Sequence, residues 1–234
     1  MTIEKGRLWG REPSGPPDRH VTGNDADLAR CVTIPGAELG RPPRSVRPAL
    51  LNYRPTPDAD LARALGLGPA GPGGNTEVVL DVLVIQLDDP RVRPVVAVNA
   101  VEIGAVADRA RRWSRRVPVT VSIDDRPGWS GQATGLLVAN GQFLRGADAV
   151  PRGHPGDGWA EVNVYAMGTG TRRAMRGRLA TGSHVPHPEI VERRGRRIEI
   201  ETRRPVPVVA DGSRVGTAAG LVIQVLPGAL RLLL

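Results

Sequence analysis

Acidic side chains beside turns are the residues of this sequence whose types and spacing best suit chemistry. Asp25 and Asp60 each fall in the first turn of a short helical stretch, where a carboxylate stabilises the helix dipole and can also ligate a cation. Asp157 and Glu161 lie four apart around a turn, a spacing that can hold a hard cation. Asp211, followed by Gly212, reads first as a hairpin turn residue. His184 and His187 in H-V-P-H-P are too few for a metal cage. Pro186 and Pro188 hold that segment extended, so the pair reads as loop packing. Cys31 is the single cysteine, which excludes an intrachain disulfide and a thiolate zinc cage and reads as a small buried hydrophobe.

Charge points to anionic partners. The formal net charge is +8, and Lys5 is the only lysine beside many arginines, a bias that GC-rich coding produces in part by itself. Arginines nevertheless cluster at 109–116, 172–178 and 193–197, which suits phosphate groups or an anionic membrane surface, with a solvated face as the plain reading of any one cluster. Aromatics make up 3% of the chain, and no nucleic-acid motif interleaves with the arginines, which argues against nucleic acid.

These residues need elements to hold them. In 234 residues, 29 glycines and 22 prolines favour turns and short strands over long helices. No apolar run approaches a membrane span, and MTIEKGRLWGREP has no apolar signal core, so a cytoplasmic protein is expected. Residues 1–74 are Pro-broken and carry two helical pieces. One spans Asp25 to Val32. The other spans Pro57 to Leu67, with Thr56 as N-cap and Leu61, Ala64 and Leu65 buried. GPAGPGGN then reads as a linker. From residue 75 onward β-branched runs dominate: 78–87, 94–101, 117–123, 135–140, 161–165, 197–202, 206–209, 221–226 and 230–234. Ile198, Ile200 and Thr202 alternate with charged residues, the mark of a half-buried antiparallel strand. Ile103, Val106, Ala110, Trp113 and Val117 recur at helical spacing and predict a helix with Trp113 in the core; a second helix is expected over Thr171 to Leu179. The expected fold is mainly β (α+β): an antiparallel two-sheet β-sandwich over 75–234 behind a reduced N-terminal α/β segment over 1–74. The opening KGRLWGRE reads as a strand or docking arm.

Three stretches resemble the diacylglycerol kinase and bacterial lipid kinase family, whose nucleotide domain is shared with NAD kinases. The closing stretch from TGSHVPHP to LRLLL is similar to the end of that family's β-sandwich. The middle resembles its Asn-Gly, glycine turn, proline and Asp-Gly series at Asn140, Gly141, Gly146, Pro151, Asp157, Gly158, Glu161 and Val162. RPTPDADLARALG resembles its Asn-Asp-Phe-Ala-Arg-x-Leu-Gly helix start at Asp60, Leu61, Ala62, Arg63, Leu65 and Gly66.

The resemblance implies a kinase using ATP and Mg2+, acting on a lipid hydroxyl. Asp211 would take the place of the catalytic base, and Asp157 and Glu161 that of a structural magnesium site. Gly23, Asn24, Asp25, Ala26 and Asp27 would take the place of the Gly-Gly-Asp-Gly-Thr phosphate loop, and Thr56 and Asp60 that of the helix-start motif. Departures concentrate there. Asn24 and Ala26 replace glycines whose backbone must approach phosphate closely, Asp27 adds a carboxylate repulsive to polyphosphate, and Ser213 replaces a glutamate. The family's leading strands are expected to be missing. Two functions are therefore carried: a lipid kinase, and a catalytically impaired homologue that binds lipid or nucleotide or serves as a regulator or scaffold. Convergence of Asp25, Asp60 and Asp211 in one cleft separates them. An exposed sheet edge in the reduced half would favour a homodimer.

Overall fold

The structure is a computed structural model that describes residues 10–34, 47–67, 76–106, 109–111, 113–179 and 181–234. The first half contributes β1 (Arg19–Gly23), α1 (Asp25–Cys31), β2 (Leu50–Pro55) and α2 (Asp60–Ala64). Then follow β3 (Glu77–Leu87), β4 (Val95–Ala97), β5 (Ala100–Gly104), β6 (Val117–Ile123), β7 (Arg126–Ala133), β8 (Gly135–Ala139), β9 (Phe143–Leu144) and β10 (Ala147–Asp148). The chain closes with β11 (Ala160–Tyr165), α3 (Thr169–Leu179), β12 (Ile190–Gly195), β13 (Arg197–Ala210) and β14 (Ser213–Leu233).

Two long strands organise everything else. The runs read as separate strands at 197–202 and 206–209 join into β13, and those at 221–226 and 230–234 join into β14. Each continues through a register shift, between Glu201 and Val206 in β13 and between Leu226 and Leu230 opposite β3. Such irregularities bend a strand from one sheet into the next. The first part of β13 pairs with β6, while its end pairs with β5 and so leads to β8, β11 and β12. The alternation expected of Ile198, Ile200 and Thr202 is present, with all three buried.

The sandwich core lies between these layers. Ile85, Val121, Ile198 and Ile223 from one side meet Val101, Val138 and Val164 from the other. Period-two geometry then assigns the opposite faces. Leu80, Val82 and Val84 of β3 pack with Leu28 of α1, Tyr53 of β2 and Leu61 of α2 in a second cluster. Leu137 and Tyr165 pack with Val106, Ala110, Met175 and Leu179 in a third. Burial on both faces explains why β8 reads as an unbroken apolar run.

Three expectations change. The helix over 103–117 does not form. Ile103 pairs with Val208 inside β5, Val117 opens β6, and no helix lies between them among the described residues. Val106 and Ala110 are buried as expected, but Trp113 is 76% exposed. Long-range sheet pairing outweighs the propensity of a short helix without a cap. Secondly, a leading strand is present. β1 precedes the loop and runs parallel to β2, which runs parallel to the end of β14. Thirdly, Arg172 is buried, although its neighbours in the second arginine cluster are exposed. It donates to the carbonyls of Met167, Arg111 and Ser114. Thr169–Leu179 does form a helix, and His184 is a buried packing residue bonded to the Ala149 carbonyl at 2.9 Å. Cys31 is half-buried against the second cluster. Trp9 and the GPAGPGGN segment lie outside the described residues.

Candidate functional site

The β1–α1 turn begins at Gly23, whose φ is 150°. A Cβ there would come within 2.2 Å of Asp27 Oδ2, because Asp27 folds back to accept the Asn24 N–H at 3.0 Å. Asn24 caps α1 in return: its Oδ1 accepts the N–H groups of Ala26 and Asp27 at 3.1 and 3.3 Å. This reciprocal capping box follows from Asn at the cap with Asp three residues on. Asp27 also pairs with Arg30 and does not line the cleft, so the repulsion expected from it at a phosphate loop is not where the structure directs that carboxylate.

Asp25 points the other way. Its carboxylate accepts the N–H groups of Asp60 and Leu61 at 3.1 Å each, and thereby caps α2 from a distance. The cap expected from Thr56 is absent. Ala59 occupies the N-cap with no side-chain bond, while Thr56 donates its N–H to the Gly23 carbonyl and helps close the turn beside the cleft. Asp60 accepts N–H groups from Arg145 and, at 2.8 Å, from Gly146. Gly146 has φ 76°, so the turn that presents these two donors suits glycine.

Asp211 occupies the β13–β14 hairpin. Both Asp211 (φ 46°) and Gly212 (φ 79°) are left-handed, as the two central residues of a tight hairpin require. Its carboxylate accepts N–H groups from Val98 at 2.7 Å, Asn99 at 3.0 Å and Ala100 at 2.9 Å, pinning the corner between β4 and β5. With three of about four lone-pair sites engaged, one acceptor site remains.

These elements enclose a cleft of about 420 Å3. Asp25, Asp60 and Asp211 converge in it, with Asn24 and Asp58 joined at 3.1 Å between the two turns. Arg63, Arg109 and Arg145 also line it. Arg145 forms a two-pronged pair with buried Glu102 at 2.5 and 2.9 Å, and Arg63 lies over Phe143. Burial first, then Asp211 and Asp60, push the Asp25 carboxyl up to about 8 against the two N–H bonds it accepts. Burial likewise pushes Asp211 up to about 6, although its three N–H donors oppose the shift. The Tyr53 hydroxyl, which donates to the Gly23 carbonyl at 3.2 Å, is raised by burial and then by Asp25. A cleft that holds acids this costly to ionise suits an incoming cation.

The remaining acid pair is elsewhere. Asp157 and Glu161 both ion-pair with Arg194, Glu161 at 3.3 Å, and neither lines the cleft. Among the described residues, no group of three or more His, Cys, Asp or Glu side chains is placed to hold a metal. Sequence reasoning missed Arg145, Glu102 and Asn99. It quoted Arg63 only as part of a helix motif and Arg109 only within the 109–116 arginine cluster; no local pattern marks the other three.

Residues 86–234 match the model of the YegS C-terminal NAD kinase beta sandwich-like domain. A solved diacylglycerol kinase from Bacillus anthracis str. Sterne is 19% identical, with a TM-score of 0.67, over 92% of this chain and 76% of that one. A second solved structure from that organism, of a protein provisionally named a diacylglycerol kinase, is 18% identical with a TM-score of 0.69 over 92% and 76%. At these identities the likeness is one of fold. No curated protein matches.

Proposed function

The chain belongs to the family of the YegS C-terminal NAD kinase beta sandwich-like domain, and we propose that it is a lipid kinase transferring phosphate from ATP to a lipid hydroxyl. The observation that carries this reading is the convergence of Asp25, Asp60 and Asp211 with Arg63 and Arg109 in one cleft. Phosphoryl transfer needs positioning, charge neutralisation and one group to orient the nucleophile. Asp211, rigidly held and titrating near neutrality, accepts the proton of the hydroxyl as its oxygen bonds to the γ-phosphorus and the bond to ADP breaks. Arg63 and Arg109 offer guanidinium groups to the phosphates, since the turn at Asn24 keeps its own N–H groups occupied.

Mg2+ fits the donor set in a limited way. It is commonly bound by one or two carboxylates with phosphate and water completing its shell, so the lack of a three-ligand group does not oppose it. Asp25 and Asp60 would hold it, and it would supply neutralisation of phosphate charge. Asp157 and Glu161 do not fit as a second site, because Arg194 already supplies their cation.

The self-capped turn favours a second reading, a homologue that binds nucleotide or lipid without transferring phosphate. Calorimetric titration with Mg·ATP, with Asp60→Ala as control, and lipid phosphorylation with Asp211→Asn separate the two. Binding lost in the first variant and turnover reduced at least ~100-fold in the second support the kinase. Binding without turnover favours the second reading, and no heat at millimolar ATP refutes both. We also propose a homodimer through an edge of the strand order, β1 or β12; a monomer in sedimentation at micromolar concentration refutes it.

A further inference from the structure

Sequence separates the arginines at 109–116 from those at 172–178, but folding joins them. Arg172 donates from α3 to the carbonyls of Arg111 at 3.0 Å and Ser114 at 2.8 Å, and so clamps the loop at those two residues against the helix. Met175 and Leu179 face the core, which leaves Arg173, Arg176 and Arg178 exposed on the outer side of α3. The first turn of that helix has no acid. Arg111, Arg115 and Arg116 are exposed on the adjoining loop. Trp113 stands among them at 76% exposure, with the Arg111 guanidinium 5.9 Å from its ring centre. Arg109, at the start of the loop, lines the cleft that holds Asp25, Asp60 and Asp211.

We propose that this face, residues 109–111 and 113–116 with the outer side of α3, docks the protein on an anionic phospholipid bilayer, with Trp113 as its interfacial anchor. Indole is at home at the headgroup level, where its ring meets acyl chain and its N–H meets water. Arginines around it match the negative surface potential of such a leaflet. A nucleic-acid groove would instead offer several aromatics for successive bases, and this face has one. The clamp from Arg172 fixes the loop before binding, so little ordering cost is left. The proposal rests on the lipid-kinase reading only for its purpose: the face borders the cleft through Arg109, so docking would bring the cleft to the surface that carries its acceptor.

The test is vesicle flotation without nucleotide, comparing phosphatidylglycerol-containing vesicles with pure phosphatidylcholine. Wild type should partition onto the anionic vesicles, less so as salt rises. The Arg173→Ala, Arg176→Ala pair should partition about 30-fold more weakly, at roughly fivefold per charge. Brominated lipid should quench wild-type tryptophan emission and leave that of Trp113→Ala unquenched. Equal partition of wild type and both variants, equal binding to the two vesicle types, or binding to a ribonucleotide homopolymer in place of vesicles overturns the proposal. Phosphorylation of a water-soluble short-chain acceptor reads the kinase separately: docking can fail while that persists, and docking can persist while that fails.

Discussion

Asp25→Asn is the substitution that tests the electrostatics of the cleft most directly. Asp25 is 6% exposed, and its carboxyl titrates at about 8 in the fold against an ordinary value of 3.8. Between those values the folded chain binds a proton that the unfolded chain has lost, so the contribution of Asp25 to stability is greatest below pH 4 and falls as pH rises toward 8. One proton corresponds to about 1.4 kcal/mol per pH unit, and the whole interval to on the order of 5 kcal/mol, comparable with the net stability of a domain. Asp211, at about 6, is half protonated at pH 6 and sheds most of that proton by pH 7 in both proteins, so the difference between them reports Asp25. Asparagine keeps an oxygen for the N–H groups of Asp60 and Leu61, 3.1 Å from the present Oδ2, and never ionises. Urea unfolding of both proteins at pH 6 and pH 7 should show wild type losing on the order of 1 kcal/mol more than the variant. Parallel slopes, within about 0.3 kcal/mol per unit, would mean that Asp25 is ionised in the fold and that the cleft does not await a cation. Saturating Mg·ATP should flatten the wild-type slope, because a bound cation favours the ionised carboxylate.

Asn24→Gly frees the N–H groups of Ala26 and Asp27; it should cost a few tenths of a kcal/mol in thermal stability and tighten Mg·ATP binding several-fold in calorimetry. Arg172→Met leaves the carbonyls of Met167, Arg111 and Ser114 without this donor, the first of them buried, and urea unfolding should report a loss of roughly 2–4 kcal/mol. Glu77, fully buried, accepts from Arg231 at 2.9 Å, from Arg11 and from Ser14. Arg231 foremost holds its carboxyl well below the usual range, so its contribution is complete above the ordinary carboxylate pKa and is lost as pH falls through the lowered value. Glu77→Gln should destabilise by about 3–5 kcal/mol at neutral pH, with the gap to wild type narrowing in strong acid.

Strand positions were legible where one rule acted locally. The Val117–Ile123 run is β6 to the residue, and Asp211–Gly212 forms the hairpin its type requires. β7 escaped notice because its Asp124–Asp125 turn adopts φ 50° and 62° without a glycine, and because its half-exposed sequence RPGWSGQA alternates poorly. The 103–117 stretch misled for a sharper reason. Val106 and Ala110 are buried against α3, so their apolar character was real, but a loop that buries two apolar residues leaves the same composition as a buried helix face.

The site divides along the same line. Asp25, Asp60 and Asp211 were visible because each sits at a turn or helix start with its own local signature, and the fold needed only to bring them together. Arg145 and Glu102 carry no such signature, since their pairing spans 43 positions and depends on β5 lying beside the β9–β10 turn. The same physics separates the two uses of acid at the β1–α1 turn. Asn24 and Asp27 satisfy each other three residues apart, whereas Asp25, between them, must reach across to Asp60 and Leu61. Asp27 thus serves the stability of one short helix. Asp25 is buried among other acids at a cost that the helix cap alone does not explain, and a positively charged ligand entering the cleft would relieve it.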